Sequence, residues 1–146
     1  MADQDETLDR EGAVEKLNDA LRLQHRSLIE YTLVGAAMTG FQYVGIAPQL
    51  AEFARAEADD ARRLAEKIAS LEGEPTTVVA TPRWSASPTE AFEFLIEDET
   101  ETIEALQASI EPTGREGRSE ALEHRLEHII MRKQEQVDFL ERAKRT

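Results

Sequence analysis

Cysteine is absent from the 146 residues, which excludes disulfides, cysteine-ligated zinc or iron–sulfur centres, and thiol catalysis. Long hydrophobic runs are absent as well. No apolar stretch approaches the roughly twenty residues that a membrane-spanning helix needs. Basic residues are scarce: 17 Lys and Arg face 30 Asp and Glu, a formal charge of −13. Phosphate backbones and anionic membranes call for clustered Lys and Arg, so neither nucleic acid nor a membrane surface is expected as a partner. Aromatic residues make up only 5%, while Ala, Leu, Glu and Arg abound, which points to an all-helical protein. The opening stretch MADQDETLDREG is too acidic for a secretory signal or a transit peptide, and the expected compartment is the cytoplasm. There is no Gly-rich phosphate loop and no nucleophilic triad spacing.

What is present is helical periodicity. Residues 1–10 show no pattern and are expected as a disordered acidic tail, with 11–146 forming a single domain. From Val14 the apolar residues Leu17, Leu21, Leu28 and Tyr31 step by four, seven and three, and Gly40 is the expected stop. Phe41–Pro48 reads as a connection, and a second helix from Pro48 carries Leu50, Phe53, Leu64 and Ile68 to an end at Gly73. The segment Gly73–Ser87 is long for a link in a small helical protein, and Trp84 is expected to anchor it to the surface. Ser87-Pro88-Thr89-Glu90 is a capping-box signature. A third helix carries Phe92, Ile96, Ile103, Leu106 and Ile110. After a break at Glu111–Gly117, a fourth carries Leu126, Ile130, Val137 and Leu140. Short, long and short links predict two antiparallel hairpins joined by a crossover, with the long link joining parallel neighbours.

Each apolar stripe is interrupted near its middle. Gln24 falls among the leucines of the first helix, Glu57 and Asp60 in the second, Glu99 in the third, and Lys133 with Gln136 in the fourth. In an antiparallel bundle, middles meet middles. Buried charges cost several kcal/mol each unless they are paired or hold a metal. These six residues are therefore the candidate site. Glu57 and Asp60, three apart, share a helix face, a spacing that suits a metal but is common on acidic helices.

With this layer the chain resembles the ferritin-like superfamily, and bacterioferritin most closely. The likeness rests on Leu17-Asn18, on Tyr31 two turns past Gln24, on E-A-D-D-A-R-R-L-A-E-K-I-A-S-L-E-G-E-P over 57–75, and on V-D-F-L-E at 137–141. It spans roughly residues 14–142. The resemblance implies a four-helix bundle with a di-iron site built from Glu, E-x-x-H, Glu and E-x-x-H on successive helices. Carried over, the first Glu falls on Gln24. The first pair falls on Glu57 and Asp60, with Asp in place of His. The third-helix Glu falls on Glu99, and the last pair falls on Lys133 and Gln136. The haem-ligating Met of bacterioferritin falls on Ala58, so no haem is expected.

Three carboxylates thus remain as candidate metal remnants: Glu57, Asp60 and Glu99. Gln24, Lys133 and Gln136 are expected to complete a pseudo-site network in which the ammonium replaces the metal charge. The expected function is a structural or interaction role with no cofactor. The expected assembly is a homodimer, with Phe41 and Tyr43 near the contact, or else a larger shell. The alternative is an iron-binding, iron-oxidising or iron-storing protein that uses the remaining carboxylates. His25 is either a replacement ligand or a boundary histidine. His124 and His128 form an i, i+4 pair expected on a solvated face without partner helices. Tyr31 corresponds to the tyrosine near the ferritin metal site, and it also suits a core position. The acidic run on the third helix reads as a solvated face.

Overall fold

The computed structural model describes residues 2–113 and 119–145, and the side chains of 10–110 and 123–145. Four helices account for most of them: α1 (Ala2–Gly35), α2 (Ile46–Ser70), α3 (Pro88–Thr113) and α4 (Ser119–Lys144). A 3₁₀ turn at Phe41–Tyr43 lies between α1 and α2. There is no strand among the described residues, and no helix is long and apolar enough to cross a membrane.

The apolar stripes explain the packing. Leu17 and Leu21 of α1 meet Leu64 and Ile68 of α2, Leu106 of α3, and Leu126 and Ile129 of α4 in one buried cluster. Tyr31 and Val34 of α1 meet Leu50 of α2, Phe92 and Leu95 of α3, and Leu140 of α4 in another. The start of α1 thus lies with the ends of α2 and α3 and the start of α4. The bundle consists of two antiparallel hairpins, α1–α2 and α3–α4. The link between α2 and α3 runs the length of the molecule, so these two helices are parallel. They occupy diagonal corners rather than neighbouring ones: α1 packs along both α2 and α3, and α3 along α4, whereas the α2–α4 side is loosely closed.

Helix ends depart from the sequence expectation in several places, and α2 begins at Ile46, two residues before Pro48. First, α1 begins at Ala2, so residues 2–10 extend the helix instead of forming a separate tail. Continuing a hydrogen-bond ladder requires no apolar stripe. Second, α1 ends at Gly35, and Gly40 (φ 95°) instead supplies the left-handed bend before the 3₁₀ turn. Third, α2 closes with paired bonds from Glu72 N to Ala69 O (3.0 Å) and Gly73 N to Ile68 O (3.0 Å). In that closure the left-handed residue is Glu72 (φ 65°), not the glycine that usually takes it. Gly73 is required for a different reason. A Cβ there would lie 2.6 Å from Cγ1 of Val14, far inside van der Waals contact. The expected break at Glu111–Gly117 is helical as far as Thr113, and 114–118 lie outside the described residues.

The crossover is tied to α1 along its course. Asn18 donates to Glu74 O and accepts from Thr76 N. Ala80 N donates to Arg22 O at 3.2 Å, and Trp84 Nε1 donates to Leu33 O at 3.1 Å. α3 then starts with Pro88 in its first turn, and Ser87 Oγ accepts from Glu90 N at 3.4 Å. The Glu90 carboxylate takes a hydrogen bond from Ser85 instead of closing the reciprocal half of the capping box.

Candidate functional site: a sealed polar layer at mid-bundle

Between the two apolar clusters lies a polar layer, with Gln24, Glu57, Glu99, Lys133 and Gln136 all buried there. Each side chain is delivered by a helix whose stripe is apolar on both sides, so the layer is as enclosed as the leucines around it. Lys133 is fully buried, at 0% exposure. Its Nζ lies 2.5 Å from Glu57 Oε2 and 3.1 Å from Glu99 Oε1. Gln136 Nε2 donates to Glu57 Oε1 (2.8 Å) and Glu99 Oε2 (2.6 Å). Gln24 Nε2 donates to Glu57 Oε2 and to the Glu57 carbonyl, the latter at 2.9 Å. Both amides therefore act as donors toward carboxylates.

Sequence reasoning missed two members, Arg132 and Ser27, and set Tyr31 near the site without naming its partner. Arg132 bonds Asp60 and Gln136 and lies 3.5 Å from Glu57 Oε1. Ser27 Oγ donates to Glu99 Oε1 (3.1 Å), and Tyr31 OH to Glu99 Oε2 (2.7 Å). Ser27 and Tyr31 stand three and seven residues after Gln24, on the same helix face, and that spacing was the available signal. Arg132 had a weaker one, its i, i+4 relation to Gln136.

The electrostatics follow from this crowding. Burial pushes the Glu57 carboxyl up, but the charges of Lys133 and Arg132 and the hydrogen bonds from Lys133 and Gln136 outweigh it and hold Glu57 below 4.5. Glu99 is raised, first by burial and then by the Glu57 charge, against the pull of Lys133. Asp60 is raised by burial more than Arg132 lowers it. Burial works against the Lys133 charge, yet Glu57 and Glu99 hold its ammonium above the ordinary lysine value. The amine is thus locked in its charged form and is no nucleophile or base at neutral pH. Tyr31 is pushed well above 10 by burial and by the Glu99 and Glu57 charges, so it remains a phenol.

The other sequence candidates lie elsewhere. His25 bonds the Thr76 carbonyl at 3.1 Å and so tethers the crossover, away from the layer. Ala58 is exposed on α2. His124 and His128 are exposed, but they line a cleft of about 370 Å³ between α4 and α2, with Asp59, Asp60 and Arg132 on its walls. The expectation that they lack a partner helix is therefore corrected: α2 lies across from them. Among the described residues, no group of three His, Asp or Glu side chains lies close enough to hold a metal ion. Phe41 projects into solvent at 97% exposure, while Tyr43 packs partly against the second apolar cluster.

A second buried polar group lies on the flank, where the crossover covers α1 and α3. It comprises Arg26, Glu30 and Asp98, with Arg83 reaching in from the crossover. Nothing in the sequence singled it out, because its burial depends on a segment without periodicity.

Comparison with known proteins agrees with this architecture. The family model of the ferritin-like domain matches residues 14–145. The chain belongs to the ferritin-like family. Among solved structures, it is similar to a ferritin-like, diiron-carboxylate protein from Bacillus anthracis str. Ames, with 26% identity and a TM-score of 0.86 over 93% of this chain and 97% of that one. The bacterioferritin of Desulfovibrio desulfuricans, described with its diiron site, shares 22% identity at a TM-score of 0.85, over 95% of this chain and 81% of that one. The bacterioferritin of Rhodobacter capsulatus shares 22% identity at a TM-score of 0.78, over 88% and 81% respectively. At that identity the bacterioferritins establish a shared fold alone. No curated protein sequence matches this chain.

Proposed function

We propose that this is a ferritin-like protein in which the ammonium of Lys133 takes the place of the metal charge, leaving a structural or interaction role and no catalytic centre. The single observation behind this reading is the position of Lys133 Nζ between the Glu57 and Glu99 carboxylates. A cation bridging those two groups would have to occupy the same volume. The donor set does not suit a di-iron centre, which needs about six anionic or neutral donors. Both amides present N–H toward the carboxylates, and Arg132 is spent on Asp60. In this reading Glu57, Asp60 and Glu99 are remnants of a metal site, and the layer fixes helix register. The chain acts as one domain, without haem, as a cytoplasmic homodimer.

The second reading is iron binding or oxidation through the three carboxylates. It is favoured by the Bacillus anthracis neighbour, which is described as a diiron-carboxylate protein. One experiment separates the two. Protein purified without chelator is assayed for metal, then given ferrous iron and oxygen. The first reading expects no stoichiometric iron and no oxidation above the buffer rate. Stoichiometric iron with an oxidation signal would replace it with the second. Light scattering measures the assembly, for which the expected mass is that of two chains and a shell would give many.

A further inference from the structure

Glu30 is wholly buried on α1, and its two oxygens have different surroundings. Oε2 accepts the backbone N–H of Arg83 at 2.7 Å. Oε1 is sealed from water and has no hydrogen-bond partner. A buried acceptor without a donor is unfavourable, and such an atom calls for an explanation.

The charged groups facing Glu30 come from three elements. Arg26 stands one turn before it on α1, Asp98 of α3 lies within hydrogen-bonding range, and Arg83 comes from the crossover. The hydrogen bonds of the two guanidiniums go to other groups, and Arg26 Nε is itself buried without a partner. Arg83 grips Asp98 through two nitrogens, Nη2 at 2.7 Å and Nε at 3.3 Å, and also reaches Glu97. Arg26 pairs with Asp98 at 3.6 Å and with Glu101 at 2.9 Å. Neither makes an ion pair with Glu30. The side chain within hydrogen-bonding range of the Glu30 carboxyl is therefore itself a carboxyl, Asp98, which is held by two arginines.

A proton on Glu30 resolves the arrangement. It turns the orphaned acceptor into a donor aimed at Asp98, and it leaves one negative charge between the two carboxyls. We propose that Glu30 carries a proton at neutral pH and donates it to Asp98, so that a carboxylic acid–carboxylate pair latches the crossover onto α1 and α3 and releases it when the proton leaves. The latch has a mechanical path. Glu30 holds the Arg83 backbone, Asp98 holds the Arg83 side chain, and the next residue, Trp84, bonds the Leu33 carbonyl. Removing the proton leaves a buried Glu30 charge beside Asp98, and the Arg83 segment, held by both carboxyls, is the element that this releases. Burial first, then the hydrogen bond and charge of Asp98, push the Glu30 carboxyl up to about 8. The release therefore falls in the mildly alkaline range.

Trp84 is the sole tryptophan, so its emission reports the crossover directly. Titrated from pH 6 to pH 10, the full chain should show one emission transition centred near 8. The Arg83 amide should exchange roughly tenfold faster or more above it, as local opening predicts. Glu30→Gln, whose amide N–H replaces the proton toward Asp98, should keep the low-pH emission throughout. A flat wild-type titration, or an unchanged transition in E30Q, overturns the proposal. Should E30Q fail to fold, the side-chain carboxyl ¹³C resonance of Glu30 in the labelled wild-type protein decides the matter. A midpoint near 8 supports the latch, and one near the ordinary 4.5 overturns it.

Discussion

Two buried carboxylates, Glu57 on α2 and Glu30 on α1, meet opposite fates. Glu57, in the central layer, is surrounded by Lys133, Arg132 and two amide donors, and it is held as an anion. Glu30, on the flank, has a carboxylate neighbour and no guanidinium of its own, and it is driven toward the acid form. Both are at 0% exposure, so burial does not separate them. The difference lies in how the nearby cations are allotted. The centre has two cations in direct contact with its carboxylates, and the flank spends its two on Asp98, Glu97 and Glu101. Desolvation raises both groups, and local pairing decides which of them stays charged.

The contrast can be broken most forcefully at Lys133. Replacing it with Met strands Glu57 and Glu99 in a dry site, and is expected to cost about 3–5 kcal/mol in urea unfolding. A loss under about 1 kcal/mol would mean that the ammonium is not what holds the layer together. Adding Glu57→Gln to K133M should return part of that loss, a coupling of about 0.5–3 kcal/mol in a double-mutant cycle.

Arg132→Ala should cost less, about 1–3 kcal/mol, since it leaves Asp60 unpaired but spares Lys133. Equality of R132A with K133M would erase the distinction between the sealed core of the layer and its half-exposed cap.

The pH dependences sharpen the comparison because their signs differ. The folded-state value of Glu57 lies below 4.5, so its contribution to stability is present above the ordinary carboxylate range and fades as pH falls through and beneath it. The deficit of E57Q against wild type should accordingly shrink in acid. The value of Glu30 lies above 4.5, at about 8, so its contribution is complete in acid, declines between those two pH values, and is gone above the second. Between pH 5 and 8, E30Q should therefore lack a slope of about 1.4 kcal/mol per pH unit that wild type carries. Parallel stability curves for the two proteins would place the proton elsewhere. The smallest effect is expected from Trp84→Phe, which keeps an aromatic ring but loses the bond to Leu33 O, at about 0.5–1 kcal/mol in thermal unfolding.

Much of the bundle was legible because a 3.6-residue period writes burial directly into the chain. The four stripes, their interruptions at Gln24, Glu57, Glu99 and Lys133, and the long link all follow from spacing. The rest was hidden for physical reasons. Arg132 lies off the stripe and reaches inward across the loosely closed α2–α4 side, which spacing cannot reveal. Asp98 lies in the acidic run that reads as a solvated face, and nothing marks Arg26 or Glu30, because the segment that covers them has no period of its own. Spacing alone puts the end of α1 five residues too late, since Gly40 is used for its backbone angle after the helix has already stopped.

Gly73 carries a consequence beyond its own position. With no side chain there, the end of α2 can rest directly on Val14, and Asn18 one turn further along α1 can catch both Glu74 and Thr76. Adding one methyl group would lift that end off its seat, and the departing strap would miss its first fastening. The route to the far end of the molecule, and with it the direction in which α3 sets out, is aimed by a single missing carbon.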